Sequence, residues 1–172
     1  KPTEVLSSDF CRALIGDDEN DMTLTKEAFS LLHDIAGRRL AQGRLTVVDA
    51  TSVQAEARQP LVELARQYHC LPVAIVFNLP ERLCQERNRN RTERGLPEHV
   101  IRNHHGQMRR SRRLDREGFR HVFTFHSVEE VDAASIERVP LWNNRRAEHG
   151  PFDIIGDLHG CAGELEQLLG TL

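Results

Sequence analysis

Leu45-Thr46-Val47-Val48-Asp49-Ala50-Thr51 is a β-branched run that closes on a carboxylate. Buried parallel strands read this way, as near-continuous apolar stretches rather than alternating ones. The run predicts a strand whose Asp49 stands at the C-terminal edge of a sheet. In doubly wound folds that edge is where ligands bind. Asp49 there either holds a magnesium-bound water or caps the helix that follows, and the residues alone leave both open.

Working outward, the flanks keep the same alternation. Upstream, Lys26 to Gln42 is predicted as a helix, because Ala28, Leu31, Ile35 and Phe29, Leu32, Ala36, Leu40 recur at three- and four-residue steps. Gly43 sits where a C′ residue belongs. Downstream, a helix from about Gln54 to Tyr68 carries Leu61, Leu64, Ala65 and Tyr68 as its buried row, with Pro60 near its first turns. Leu71 to Leu79 then predicts a second buried strand, and His121 to Phe125 another. Ser127 to Arg138 reads as a polar helix or connector. Helices alternating with apolar strands predict an α/β fold with a parallel sheet.

Before the first helix lies Ser7-Ser8-Asp9-Phe10-Cys11-Arg12, preceded by the apolar pair Val5-Leu6. Residues three apart project to the same side of a helix, so Asp9 and Arg12 are neighbours if a helix begins here. A carboxylate at a strand's C-terminal end can take a proton from an incoming hydroxyl, and a guanidinium beside it can grip a phosphate on the same substrate. The plainer alternative makes Ser8 or Asp9 an N-cap and leaves Arg12 solvated.

After the strand at 71–79, Pro80-Glu81 opens a helix running into Arg87-Asn88-Arg89-Asn90-Arg91-Thr92-Glu93-Arg94. Arg87 and Arg91 are four apart and are expected on one helix face. Arg94-Gly95-Leu96-Pro97 breaks the pattern before a second helix, about Glu98 to Leu114, with Val100, Ile101 and Met108 as its apolar side. Two basic helices joined by a Gly/Pro turn make a lid that brings charge onto a polyphosphate only when closed. A solvated basic face is the alternative. The net charge of −3 conceals this segment, in which eleven Arg between Arg82 and Arg116 stand against Glu86, Glu93, Glu98 and Asp115. Such local basic density suits nucleotide or polynucleotide ligands.

Val139 to Pro151 loses periodicity, carries the only Trp and reads as a domain boundary; Trp142 packs this linker down or stacks on a base. Beyond it, Phe152-Asp153-Ile154-Ile155-Gly156-Asp157-Leu158-His159-Gly160 predicts a strand and a glycine-bounded turn, followed by a helix with Leu165, Leu168, Leu169 and Leu172 on one face. Asp157 and His159, two apart, face the same side of an extended chain and can share a metal ion, unless Asp157 is simply a helix cap. Cys11, Cys70, Cys84 and Cys161 form neither a C-x-x-C pair nor a disulfide framework, which suits a reduced cytoplasmic protein. No apolar run approaches the ~20 residues of a membrane helix. A first residue other than Met, and an ending inside an amphipathic pattern, suggest a piece of a longer chain.

These landmarks together resemble a known family. Ser-Ser-Asp-Phe-Cys-Arg, Thr-Val-Val-Asp-Ala-Thr, Val-Phe-Asn-Leu-Pro-Glu, Cys-Gln-Glu-Arg-Asn-x-Asn-Arg-Thr, Pro-Leu-Trp-Asn-Asn-Arg-Arg and Gly-Pro-Phe-Asp-Ile-Ile-Gly-Asp-x-His-Gly-Cys are similar to the bacterial polynucleotide kinase-phosphatases of RNA end healing and sealing. The resemblance implies a P-loop phosphotransferase-like parallel sheet with flanking helices and an Arg-rich lid over residues 1–150, lacking its first strand and P-loop. Residues 151–172 would begin a metallophosphoesterase domain. It makes Asp9 the general base for a 5′-hydroxyl of RNA or DNA, Arg12 the contact to the phosphate on its 3′ side, and Arg87 and Arg91 the lid arginines on ATP. Asp157 and His159 match the first ligands of the phosphatase metals, Mn2+ or another divalent pair, while ATP and Mg2+ serve the kinase. RNA-repair proteins would be its partners; the oligomeric state is not implied.

Two departures matter. Ser52 stands where the family pattern has Asn, which leaves the role of the Asp49 turn open. The chain also has no Gly-Lys pair, so the G-x-x-x-x-G-K-[ST] loop is absent, and Lys26 inside a predicted helix cannot replace it. The missing strand and loop are expected just before Lys1. Further phosphatase ligands are missing too, so these 172 residues by themselves are expected to catalyse neither reaction. Rival readings are a P-loop kinase for a small hydroxylated metabolite, and a metallophosphoesterase whose N-terminal region only binds RNA.

Overall fold

A computed structural model of the chain describes residues 1–91, 95–111, 113–141 and 143–172. It divides into two compact units, Lys1–Ala134 and Ser135–Leu172. The predicted break at Arg94 and the role of Trp142 lie outside the described residues.

In the first unit, β1 (Val5–Ser7) leads into α1 (Ser8–Gly16), and α2 (Thr25–Ala41), β2 (Val47–Asp49) and α3 (Ala55–Gln67) follow. Next come β3 (Val73–Phe77), α4 (Glu81–Arg89), α5 (Glu98–Arg110), β4 (His121–Phe125) and α6 (Val128–Ala133). β1 pairs parallel with β2 and sets Ser7 opposite Asp49; β3 pairs parallel with β4, with Phe77 opposite Phe125. The α/β alternation and the parallel pairing are thus as expected, in two two-stranded sheets.

The core sits where α1 and α2 cover the first pair. Leu6, Cys11, Ala28, Leu32 and Ala36 are buried together, with Leu31, Ile35, Val48, Leu61 and Leu64 packed around them. The fully buried stripe of α2 is Ala28-Leu32-Ala36, one residue per turn, running between the two rows expected from the sequence. Gly43 follows the helix with a left-handed φ of 61°, the C′ geometry that glycine tolerates best.

The strands read as buried prove otherwise. Val73, Ile75 and Phe77 are 47%, 52% and 54% exposed, and only Ala74 of β3 is buried. A parallel strand is covered on both faces only when neighbours and helices flank it, and a two-stranded pair supplies too few.

His33 on α2 lies edge-on to Phe29, with ring centroids 6.2 Å apart, and its Nε2 is buried without a partner. Burial lowers its pKa below 6.5, and the nearby Asp34 carboxylate offsets this only in part. The unfolded chain therefore binds a proton more readily than the native one, so stability present at neutral pH drains away as pH falls below about 6.5. The urea midpoint should drop between pH 7.5 and 5.5, and the drop should shrink in His33→Gln; equal drops in both proteins would exclude His33 as its source.

The second unit holds α7 (Ala162–Leu169), the helix expected there. The strand expected at 152–155 does not form. Phe152 and Ile154 are 58% and 91% exposed, and among the described residues no second strand of this unit satisfies their backbone.

Candidate functional site

The C-terminal ends of β1 and β2 carry the chemistry. Because Ser7 is in register with Asp49 and α1 starts at Ser8, Asp9 and Asp49 belong to the same edge of this strand pair. The cap of α1 is Ser7 rather than Ser8 or Asp9: its hydroxyl accepts from the backbone N–H groups of Asp9 and Phe10. The Asp9 carboxylate is thereby released from capping, and its side chain is 43% exposed. Asp49 is exposed, and the N-cap of α3 is Gln54, with no side chain bonded to the cap, so Asp49 does not cap that helix.

Arg12 is not solvated. It is 3% exposed, and its Nη1 donates to Asp9 Oδ1 at 2.8 Å and to the Glu19 carbonyl. Its Nε is buried without a partner. The guanidinium is therefore a fixed cation beneath Asp9, holding the carboxylate in one orientation. Cys11 between them faces the core at 1% exposure, and burial pushes its thiol pKa up, which makes it a packing group rather than a nucleophile.

α4 and α5 fold back on one another as a stapled hairpin. Asn88 binds Leu96 in both directions, Nδ2 to the carbonyl at 2.7 Å and Oδ1 from the N–H at 2.9 Å. Gln85 Nε2 donates to the Glu98 carbonyl at 2.9 Å, and Arg89 pairs with Glu98 at 2.7 Å. The hydrogen bond and charge of Arg89 hold Glu98 below the usual carboxylate range. Arg87 and Arg91 are exposed. They do not share a helix face as expected, because α4 ends at Arg89 and the N–H of Arg91 turns back to the Asn88 carbonyl. The side chain of Asn88, turned to Leu96, draws the chain out of the helix one turn early.

The structure thus joins Asp9 to Arg12 and sets Asp49 on the same strand edge. Among the described residues, no ion pair joins Arg87 or Arg91 to either carboxylate. Two shallow depressions of about 240 and 290 Å3 lie beside α3 and beside Lys1, and none of the expected site residues lines them. In the second unit, Asp157 Oδ2 and His159 Nε2 lie 2.9 Å apart, bonded to one another and both largely exposed. Among the described residues no three His, Cys, Asp or Glu side chains gather as a metal site. Arg58 was missed altogether: it lies on α3 at a position where the sequence pattern marks no buried residue, yet it is 7% exposed.

Residues 1–114 match the family model described as AAA domain, AAA_33, which spans β1 through α5. The chain belongs to that family. No curated protein matches the chain. The AAA_33 family is P-loop kinase-like, so the kinase-type, ATP-binding reading of the chain stands, together with Mg2+ as the metal such enzymes use. Of the protein groups that hold Mg2+ beside waters and substrate phosphates, these residues offer a carboxylate, the exposed Asp49 at the end of β2; the Ser/Thr of the phosphate-binding loop is not among them. No helix among the described residues is long and apolar enough to cross a membrane.

Proposed function

We propose that the chain is the acceptor side and lid of a polynucleotide 5′-hydroxyl kinase. The observation that carries this is Asp9: a half-exposed carboxylate at a parallel-strand end, excused from capping by Ser7 and pinned at 2.8 Å by a buried arginine. A general base needs this combination of access and fixed direction. Asp9 takes the proton of the terminal 5′-hydroxyl as its oxygen attacks the γ-phosphorus of ATP, the bond to the β-phosphate breaks and ADP leaves. Arg12 orients Asp9 from its buried seat; for it to reach the phosphate on the 3′ side of that end as well, the guanidinium, 3% exposed, would have to be uncovered when the end binds. Asp49 would hold a water of the Mg2+, and the exposed Arg87 and Arg91 would neutralise the transferring phosphate. Mg2+ and ATP supply charge compensation and the phosphoryl group; the glycine-lysine loop that cradles them is absent from these 172 residues.

Arg89, Arg102 and Arg113 are 62–67% exposed on the same hairpin and its exit, each paired with a carboxylate, Glu98, Glu81 and Asp115, so the phosphates of a polynucleotide would compete with these acids for the guanidiniums. Transfer of label from γ-phosphate-labelled ATP to a 5′-hydroxyl RNA or DNA oligonucleotide by the full-length protein tests the proposed activity. Transfer to a free polyol but not to the oligonucleotide sinks it, and no transfer at all favours a binding-only role beside a phosphatase. Replacing both Arg87 and Arg91 by Ala should lower kcat/KM by about 10²–10³-fold. An unchanged value would remove the lid from the mechanism.

For residues 151–172 we propose the start of a metallophosphoesterase domain, in a cytoplasmic protein of nucleic-acid repair with repair proteins as partners. The supporting feature is the Asp157–His159 pair on a glycine-bounded turn before α7. Two ligands do not make the two-metal site such an enzyme needs, so no step is assigned to them.

A further inference from the structure

We propose that Arg58 is a positioning residue that ties the root of the arginine hairpin to the turn after β2. The proposal rests on the lid role of Arg87 and Arg91 given above. One guanidinium joins the turn six residues before it to the stretch from Ser111 to Glu117, 53 to 59 residues on. Its Nη1 donates to the Ser52 carbonyl at 2.8 Å, just beyond the Asp49 strand end. Its Nη2 donates to the hydroxyl of Ser111, the residue that caps α5. Nε and Nη2 together grip Glu117, at 2.8 and 2.6 Å, on the segment entering β4. Arg58 and Glu117 are 9% and 19% exposed at their side chains.

Helix stability does not account for this arrangement. Arg58 lies in the first turns of α3, where the helix dipole disfavours a cation. A buried ion pair is also a weak source of stability, since apolar side chains of the same volume often do as well. What the fork does that they cannot is fix direction: its planar donors set the exit of α5 and the Ser52 turn in one plane at hydrogen-bond distance. The hairpin is internally rigid through Asn88 and Gln85, so fixing its exit fixes where Arg87 and Arg91 travel relative to Asp49.

Arg58→Lys keeps the charge and loses the fork. In the full-length protein it should raise KM for ATP about tenfold with a smaller change in kcat, and speed amide exchange over 98–110 at least tenfold while leaving α2 protected. The decisive measurement is the double-mutant cycle. Arg87→Ala should cost much less in the Arg58→Lys background than in the native one, because the arginine is already misplaced. Equal costs, or unchanged exchange over α5, would reduce Arg58 to a structural ion pair and overturn the proposal. Glu117→Gln must give the same signature if Arg58→Lys folds poorly; native behaviour in it also overturns the proposal. If Arg87→Ala is silent in the native background, the lid reading itself fails, a result separate from the exchange data.

Discussion

Asp9→Asn in the full-length protein is expected to abolish most transfer to a 5′-hydroxyl end, with kcat lowered about 10²–10⁴-fold, while ATP binding by calorimetry stays within twofold. The asymmetry follows from what Asp9 touches. Asparagine keeps an oxygen to accept from Arg12 Nη1, now met at 2.8 Å, and the Ser7 cap uses the backbone N–H of residue 9 rather than its side chain. The local fold therefore survives, and what is lost is basicity at one oxygen. Asp9→Ala is a harsher change, because Arg12, 3% exposed, then keeps only the Glu19 carbonyl for its Nη1. Leaving a buried cation short of its counter-charge costs several kcal/mol when the lost partner is fully buried. The carboxylate is 43% exposed, so solvent screening reduces this to about 1–2 kcal/mol. Undiminished transfer by the Asp9→Asn enzyme would take the base away from this position and with it the proposed chemistry.

What the sequence disclosed depended on how local each signal is. Parallel α/β alternation is written in periodicity, and the bounds of α2 and α3 came out within a residue or two, because helices are decided by contacts three or four residues apart; those of β4 followed from its β-branched and aromatic run. The Asp9–Arg12 pair was legible for the same reason, being an i, i+3 relation. The burial of Arg12 was not, since it is produced by the Glu19 carbonyl seven residues on. Arg58 escaped entirely: its partners Ser111 and Glu117 lie 53 and 59 residues away, and no window of sequence contains them. Conversely, the apolar character of β3 said nothing about what covers it, and the strand proved half exposed. The strand expected at 152–155 failed on the same account, because pairing is a property of a neighbour rather than of the run itself. Arg91 left the helix face because of Asn88, whose side chain serves Leu96 instead of solvent. The family match over residues 1–114 adds the kinase-type class, and the roles of single residues still rest on their geometry.

Leu32→Ala should produce the largest loss of stability of any single truncation in the first unit, about 3–5 kcal/mol by urea denaturation. Leu32 has no measurable exposure and is the largest wholly buried side chain among the described residues. Its cluster holds Ala28, Ala36 and Cys11, small groups that cannot swing in to fill a vacated space, so any relaxation falls to Leu6 and the aliphatic side chains packed around them. A cavity that cannot collapse is the expensive kind, since the lining atoms lose dispersion contacts with nothing in return. Domains are stable by only about 5–15 kcal/mol in all, so the change takes a large share of the total. Leu32→Met, which nearly conserves volume, should cost less than about 1.5 kcal/mol. A loss below about 1 kcal/mol for the alanine variant would mean that α1 and α2 can close over the gap. The effect should also reach the chemistry, because β1 and α1 rest on this side chain through Leu6 and Cys11. Arg12, one residue beyond Cys11, then loses the fixed seat from which it aims Asp9, so the full-length variant should lose transfer activity at temperatures where most of the protein is still folded.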